Sequence, residues 1–195
     1  MVEASFTRFV MAVERVEHLL RKTTGALNAA GIGYAIIGGN AVAAWVAQVD
    51  EAAARTTKDV NILIRRSDVT HVSEALRPID LTPIEVLGVY MYVDRHRPNP
   101  WTGVHVVFAG ARVRPDYTHP APDPCDSVET DGFHLIELRR LVEMKLQAYG
   151  FIDRAHLQDM LNVGLIDDAI RDALPPDLRE HLIALEESPD SDGSK

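Results

Sequence analysis

Cysteine is almost missing from this sequence: Cys125 is the only one among 195 residues. A single thiol excludes an internal disulfide framework and a zinc site made of cysteine ligands. Long apolar runs are missing as well, because charged residues such as Arg8 and Glu14 interrupt the apolar residues near the N-terminus. That segment lacks both the apolar core of a signal peptide and the length of a membrane span. We therefore predict a cytoplasmic protein that does not associate with a membrane.

An excess of positive charge is also absent, since 20 basic residues oppose 29 acidic residues and the net charge is −9. Phosphate backbones are bound by clustered cations, so this charge balance argues against non-specific binding of DNA or RNA. The acidic excess is uneven: residues 151–195 hold 4 basic and 11 acidic residues, or −7, which leaves −2 for residues 1–150. A local basic patch in the first part is therefore compatible with the charge.

Apolar residues at helix and strand spacings, separated by glycine and proline, predict an α/β or α+β chain. The predicted strands are 34–37, 60–64, 84–87, 90–93, 104–108 and 133–136. The predicted helices are one ending near Ala30, one over 41–48 capped by Asn40, one from Ser67 or Asp68 through Leu76, and three after Leu138, near Arg154 and from Pro175. Residues 114–130 contain four prolines, which predicts a surface loop.

Two adjacent glycines, Gly38 and Gly39, follow the first predicted strand and precede a helix. Without Cβ atoms this backbone can approach a ligand closely, and the helix N-terminus offers free N–H groups to a phosphate. A tight turn without a ligand is the commoner use of such a pair. The glycines alone leave both interpretations open.

Asp59 and Asn61 stand two residues apart on a predicted strand, so their side chains project from the same face. Two carboxylates in this arrangement hold Mg²⁺ ions that bridge a nucleoside triphosphate. Here one of the pair is an asparagine, which offers a carbonyl oxygen but no charge. The alternative is that Asp59 caps the preceding loop and Asn61 faces solvent.

Four segments together resemble a known family. They are IIGGNAVAAW, RTTKDVNILI, VHVVFAGARVR and LVEMKLQAYGFIDRAHLQDMLNVGLID, which lie between about residue 30 and residue 170. The pattern resembles the bacterial nucleotidyltransferase-like proteins related to the AbiEii toxins of abortive-infection and toxin–antitoxin systems. The resemblance implies a mixed sheet flanked by helices. We expect a nucleotidyltransferase-like core over 1–137, C-terminal helices packed on it over 138–188, and a disordered polar tail over 189–195.

The resemblance also implies roles for individual residues. Gly38 and Gly39 match the turn that holds the triphosphate, with Asn40, Thr57 and Lys58 beside it. Asp59 matches the first metal-binding acid, and Asn61 falls where the family has its second. Lys145 matches the lysine that meets the nucleotide phosphates, and Asp159 matches a helical acid near the active site that orients or activates the acceptor. The implied cofactor is Mg²⁺.

The sequence departs from the family pattern at three places. The usual Asp-x-Asp is Asp59-Val60-Asn61 here. A third acid, which many nucleotidyltransferases carry on a neighbouring strand, is replaced by His105. Gly150, Phe151 and Ile152 stand where relatives tend to carry basic residues. Each departure weakens the case for ordinary two-metal transfer.

Reasoning from single residues favours plainer roles for some of these side chains. A lysine such as Lys145 on an apolar helix usually extends to solvent. Arg55 is expected in a solvated loop, although cations before the acidic strand could neutralise a triphosphate or touch RNA. His156 and Asp159 share a helix face, either as a pair near a metal or as a surface hydrogen bond.

Three functions are compatible with these observations. The first is an Mg²⁺-dependent enzyme that transfers a nucleotidyl group from a nucleoside triphosphate to an RNA, such as a tRNA end, or to a protein side chain. As a toxin it would be bound by an antitoxin protein. The second is a catalytically degenerate member of the fold that binds a nucleotide or a protein. The third is an interaction module that shares only the fold.

Overall fold

Seven strands form one mixed sheet in the computed structural model, which describes residues 2–187. The strands are β1 (Tyr34–Ile36), β2 (Val60–Ile64), β3 (Leu81–Val86), β4 (Val89–Asp94), β5 (Val104–Phe108), β6 (Ser127–Thr130) and β7 (Phe133–Ile136). Their order across the sheet is β3-β4-β5-β2-β1-β7-β6. The predicted fold class, a mixed sheet flanked by helices, is confirmed. The predicted disordered tail, 189–195, lies outside the described residues.

The centre of the sheet combines parallel and antiparallel pairing. Strand β2 pairs antiparallel with β1 and parallel with β5, while β1 pairs parallel with β7. In the parallel β2–β5 register, Asn61 lies beside His105. Ile62 and Leu63 are adjacent, point to opposite faces and are both fully buried, so helices cover both sides of β2. This double burial explains the almost continuous apolar sequence of the strand.

Seven α-helices cover the sheet within the described part of the chain. They are α1 (Val2–Ala29), α2 (Gly38–Ala47), α3 (Val69–Leu76), α4 (Leu138–Ala148), α5 (Phe151–Asn162), α6 (Asp168–Ala173) and α7 (Pro176–Glu187). Helix α1 packs with α3, whereas α2 packs with α4 and α5. Across residues 2–187, none of these helices has the length and apolar character needed to cross a membrane.

The structure departs from the predicted elements at several places. Strand β3 spans Leu81–Val86 where 84–87 is predicted, and α5 starts at Phe151 instead of near Arg154. Helix α2 begins at Gly38, with Ile37 as its N-cap residue, so Asn40 lies inside the helix and is not its cap. Strand β6 occupies the end of the predicted proline-rich loop, where pairing with β7 provides the ladder that the local sequence did not indicate. Helix α6 was not predicted, because six residues are too few to show a periodic apolar stripe.

All seven strands lie before residue 137, and α4 to α7 follow it. The division into a core and a set of C-terminal helices stays a prediction. Helices α4 and α5 contact α2 directly, which brings Lys145 and His156 towards the glycine turn.

Candidate functional site

The turn between β1 and α2 is built by Gly38, whose φ of +70° lies in the left-handed region. Ile37 before it is extended, and its N–H donates to the carbonyl of Asn61 at 3.0 Å. The N-cap residue, Ile37, makes no side-chain capping hydrogen bond at the N-terminus of α2. The first amides of a helix have no partners within the helix, so this end presents N–H groups that an anion could accept from.

The space that side chains would take at both glycines is already occupied. A Cβ on Gly38 would lie 3.0 Å from the Cβ of Asn61, and a Cβ on Gly39 would lie 2.6 Å from Cγ2 of Thr57. The imidazole of His156 approaches from α5, with its Cε1 3.5 Å from the same point at Gly39. The glycines are therefore required for close packing of the turn, whether or not a ligand binds.

Asn40 ties the turn to the start of β2. Its Nδ2 donates to the carbonyl of Asp59 at 2.7 Å, and its Oδ1 accepts from the hydroxyl of Thr57 at 3.0 Å. The predicted nucleotide-binding residues Gly38, Gly39, Asn40 and Thr57 are thus neighbours in space. Their contact with a nucleotide remains a prediction.

Asp59, Asn61 and His105 form a hydrogen-bonded cluster beside this turn, which we name the Asp59 cluster. Oδ2 of Asp59 accepts from Nδ2 of Asn61 at 3.0 Å and lies 3.1 Å from Nδ1 of His105. The other ring nitrogen of His105, Nε2, is 2.7 Å from the carbonyl of Pro100. Both ring nitrogens face oxygens that only accept, an arrangement that favours the doubly protonated, cationic imidazole.

The pKa shifts agree with this geometry. The hydrogen bond to Asp59 raises the pKa of His105 against the opposing effect of burial. The hydrogen bond from His105, helped by Asn61, holds the pKa of Asp59 below its ordinary value although burial acts in the opposite direction. The carboxylate charge is therefore balanced within the protein.

The Asp59 cluster does not fit a magnesium site. Mg²⁺ favours several charged oxygen ligands, whereas the cluster offers one carboxylate and pairs it with an imidazolium. Among the described residues, no group of three or more His, Cys, Asp or Glu side chains is placed to hold a metal ion. Asn61 does lie on the Asp59 side of the strand, as predicted, but its amide donates to the carboxylate instead of adding to its charge.

Lys145 is buried, which corrects the expectation from single-residue reasoning that it extends to solvent. The residue is 9% exposed, and its Nζ donates to Oδ1 of Asp153 at 2.7 Å. The turn at Gly150 brings α4 and α5 together so that this pair can form. Its implied role towards nucleotide phosphates stays a prediction.

Arg55 and Asp159 form a bidentate ion pair, while the side chain of Arg55 stays 60% exposed, as expected for a residue of a solvated loop. Nε and Nη2 of Arg55 donate to the two carboxylate oxygens of Asp159 at 2.5 and 2.9 Å. Both oxygens of Asp159 are thereby engaged, and the pair anchors the loop before β2 to α5. His156, which shares the helix face with Asp159, does not bond to it: its Nδ1 is buried without a partner among residues 2–187.

Lys58 is exposed. It lines a mainly apolar groove of about 480 Å³ together with Thr57, Lys22 and Trp101. A role of Lys58 at the phosphates stays a prediction.

The proximity of His156 to the glycine turn was not predicted. The sequence indicated only that His156 shares a helix face with Asp159, near a metal or at the surface. Its position depends on the packing of α5 against α2, which no local pattern indicates.

Neither a protein-family model nor a curated protein sequence matches the chain. Among solved structures, an antigenic nucleotidyltransferase-like protein from Paracoccidioides brasiliensis is similar over 92% of this chain and 91% of its own, with a TM-score of 0.57 and 16% identity. The protein JHP933 from Helicobacter pylori is similar over 91% of this chain and 75% of its own, with a TM-score of 0.51 and 16% identity. The fold is therefore nucleotidyltransferase-like, and at these identities the likeness establishes the fold alone.

Proposed function

We propose that this protein binds a nucleoside triphosphate at the Gly38–Gly39 turn and does not carry out metal-dependent nucleotidyl transfer. The contact of His105 with Asp59 carries this proposal. His105 stands where a metal-dependent site would need a further negative charge, and its two contacts favour the positively charged imidazole instead.

The case for a nucleotide rests on the turn and on the fold. The uncapped N-terminus of α2 offers N–H groups to a phosphate. A nucleotidyltransferase-like fold supports a nucleotide as the source of that phosphate, on the strength of likeness of fold. Lys145 and Asp153 form an ion pair on the adjoining helices. A phosphate that displaced the carboxylate of Asp153 would gain the ammonium group of Lys145 as its own partner.

The case against metal-dependent transfer rests on the hydrogen bonds of Asp59. In this arrangement Asp59 Oδ2 accepts two bonds and orients Asn61 and His105. A divalent cation at that oxygen would have to displace both donors and lie beside an imidazolium, which repels it. The residues present therefore hold the start of β2 and β5 together and provide no open cation site.

A second candidate is Mg²⁺-dependent transfer of a nucleotidyl group to an RNA, such as a tRNA end, or to a protein, as in AbiEii-like toxins with an antitoxin partner and a cytoplasmic location. One observation favours it: Asp59, the glycine turn and the buried Lys145 lie in one region of the molecule. It requires His105 to lose its proton and Asn61 to rotate so that its oxygen replaces its nitrogen.

Isothermal titration with ATP, CTP, GTP and UTP, in EDTA and in Mg²⁺, separates the candidates when wild type and Asp59→Ala are compared. Our proposal expects binding of at least one triphosphate in EDTA, with an affinity that Asp59→Ala leaves largely unchanged. Binding that needs Mg²⁺ and disappears in Asp59→Ala would establish the second candidate instead. Absence of triphosphate binding under both conditions would contradict both and favour an interaction module that shares only the fold.

A further inference from the structure

The groove that Lys58 lines lies between α1, the loop before β2 and the loop between β4 and β5, and we name it the α1 groove. Its volume of about 480 Å³ is that of a small-molecule pocket, a class of site lined mainly by apolar side chains with a few polar groups. The apolar lining residues are Ala12, Val13, Val16, Leu19, Leu81 and Trp101. The lining includes neither the two glycines of the turn nor Asp59, so this surface is separate from the candidate site.

Helix α1 forms one long wall of the groove. Val13, Val16 and Leu19 follow one another at three-residue spacing, which places them on one face of the helix. Each of the three is only half-buried, so the rest of the described protein covers this face in part. The lining residues of α1 run from Ala12 to Lys22, which corresponds to about 15 Å along the helix axis.

The indole of Trp101 is the other large apolar group of the groove. It is 82% exposed, although apolar residues of α1 line the same groove. Single exposed apolar residues are common, whereas a continuous apolar surface that includes an exposed aromatic ring marks a binding site. The α1 groove is therefore shaped for the apolar part of a ligand.

The charge of the groove is opposite to that of the whole chain. Four cations and one acid line it, which leaves +3 with His18 neutral, whereas the chain carries −9; they are Arg15, Lys22, Lys58, Arg97 and Asp94. The acid is engaged in its own loop, because Oδ1 of Asp94 accepts from the backbone N–H groups of His96 and Arg97 at 2.8 and 2.9 Å. The side chains of Lys58 and Arg97 have neither a hydrogen bond nor an ion pair within residues 2–187. An anionic ligand therefore complements this surface.

We propose that the α1 groove binds a small amphipathic anion. The apolar body of the ligand lies along Val13 and Val16 against Trp101, and its carboxylate is held by Lys58 and Arg97. The inference goes beyond the proposed function, because it assigns a second ligand to a surface outside the glycine turn. Thr57 lines the groove and also packs on Gly39, so the two sites adjoin.

A strand of nucleic acid suits the groove less well than a small anion. Single strands are held by successive aromatic rings on which bases stack, and Trp101 is the one Trp, Tyr or Phe among the described lining residues. The net charge of −9 also repels a long polyanion.

Tryptophan fluorescence tests both parts of the ligand. Trp101 is exposed, whereas the second tryptophan, Trp45, donates from Nε1 to the carbonyl of Ile136. Below micelle-forming concentrations, dodecanoate is compared with acetate, which lacks the apolar body, and with dodecyltrimethylammonium, which has the opposite charge. Dodecanoate is expected to shift the emission of the wild type to shorter wavelength and to leave that of Trp101→Phe unchanged. Acetate is expected to cause no shift, and the dodecyl cation is expected to bind about tenfold more weakly than dodecanoate.

Equal affinity for the anionic and the cationic dodecyl compounds would overturn the inference, because it would show that the cations of the groove do not select the ligand. A shift that persists in Trp101→Phe would also overturn it, since the ligand would then lie elsewhere. Added NaCl should weaken dodecanoate binding, because the two cations are exposed.

Isothermal titration of dodecanoate into variants locates the site. Val16→Asp places a carboxylate on the apolar wall and is expected to weaken binding by about tenfold or more. Lys58→Glu combined with Arg97→Glu reverses the two unpaired cations and is expected to weaken binding by about tenfold. If Val16→Asp does not fold, the double variant still decides, because both of its positions are exposed. Wild-type affinity in the double variant would overturn the inference.

The matched control makes the same charge change outside the groove. Arg77→Glu combined with Arg112→Glu alters two exposed arginines that do not line it. This variant is expected to bind dodecanoate with wild-type affinity. An equal loss there and in the groove variant would show that only the net charge of the protein matters, which overturns the site.

Two other occupants of the groove are tested with the same proteins. Sedimentation velocity is expected to show monomers for both wild type and Val16→Asp. A wild-type dimer that Val16→Asp dissociates would show that a second copy covers the groove. A short uridine oligonucleotide is expected to leave Trp101 emission unchanged, and one that displaces dodecanoate would show a nucleic-acid site. Either of these contrary results overturns the inference.

Discussion

The imidazole of His105 and the carboxylate of Asp59 are joined across two parallel strands, with Nδ1 3.1 Å from Oδ2. The second ring nitrogen, Nε2, lies 2.7 Å from the carbonyl of Pro100, which favours the doubly protonated imidazole. This relationship places an imidazole beside the carboxylate that a metal ion would need. The charge of His105 therefore decides whether Asp59 can bind a cation.

The Asp59–His105 pair predicts a specific dependence of stability on pH. The raised pKa of His105 means that its contribution is complete below its unfolded value of about 6.5 and is lost as pH rises through the folded pKa. The lowered pKa of Asp59 means that its contribution is present above its unfolded value and is lost as pH falls through the folded pKa. We expect His105→Gln to destabilise the protein by about 1 kcal/mol at pH 5.5 and by less at pH 8.5.

Urea unfolding of the wild type and His105→Gln at the two pH values checks this. The other histidines contribute equally to both proteins, so the difference between the two free energies of unfolding isolates His105. A difference that is larger at pH 8.5 than at pH 5.5 would contradict the assignment of a protonated imidazole.

Asn61→Asp tests whether the region can be converted into a metal site. A second carboxylate next to Asp59 adds the negative charge that Mg²⁺ requires, so we expect the affinity for Mg²⁺ to rise by about tenfold or more. Without metal, the two like charges should destabilise the protein by about 1 kcal/mol. Isothermal titration with Mg²⁺ measures the first effect and urea unfolding the second.

Asn99→Asp is the matched control for this change. Asn99 caps a short helical turn by accepting from the N–H of Trp101, and an aspartate keeps that bond. The same chemical change there should leave Mg²⁺ affinity unchanged. If Asn61→Asp also leaves the affinity for Mg²⁺ unchanged, the residues around Asp59 do not form a metal site even when the second carboxylate is supplied.

Gly39→Ala tests the packing of the turn. Its new Cβ would lie 2.6 Å from Cγ2 of Thr57, so we expect a loss of about 1–3 kcal/mol in the free energy of unfolding. Thr57→Ser removes that methyl and keeps the hydroxyl that bonds Asn40. The double variant should therefore recover much of the loss.

Gly25→Ala is expected to change the free energy of unfolding in the opposite direction to Gly39→Ala. Gly25 lies inside α1 with nothing within 4 Å of its Cβ position. Alanine there should stabilise the helix by roughly 0.5–1 kcal/mol. Thermal or urea unfolding of Gly39→Ala, Thr57→Ser, the double variant and Gly25→Ala measures these changes. A Gly39→Ala protein as stable as the wild type would show that Thr57 moves aside freely.

Lys145→Met tests the buried ion pair with Asp153. It leaves Asp153 without its cation, and for this partly buried pair we expect a loss of about 2 kcal/mol in stability. Since Lys145 helps to lower the pKa of His156, that pKa should rise from about 4 in the variant. Urea unfolding and a histidine NMR titration measure the two effects. Lys58→Met, on the exposed loop, should change neither.

The central strands show how far local sequence reaches. Strands β5 and β7 lie at their predicted residues because their apolar residues are bounded by clear turn signals. Strand β6 was missed since its four residues, half-buried or exposed, are paired only through β7. The predicted start of α2 is three residues late, because the left-handed Gly38 opens the helix itself, before the asparagine that local rules favour as a cap.

The partners of charged side chains show where local sequence stops. Arg55 and Asp159 are 104 positions apart, and Lys145 finds Asp153 only because α4 and α5 fold back at Gly150. The sequence shows that His105 replaces an acid of the family pattern. It does not show that the imidazole contacts Asp59 and the carbonyl of Pro100. Such pairs depend on how helices pack on the sheet, and packing is a property of the whole chain.

By itself, the sequence determined the α/β class, the glycine turn before a helix and the shared face of Asp59 and Asn61. These follow from spacing along one strand or one turn, which the backbone periodicities impose locally. Only the tertiary structure decided that Asp59 is neutralised by His105, that Lys145 is buried, and that His156 lies behind Gly39. Those relationships join residues from different elements, and their energies depend on burial and on distances that exist only after the chain has folded.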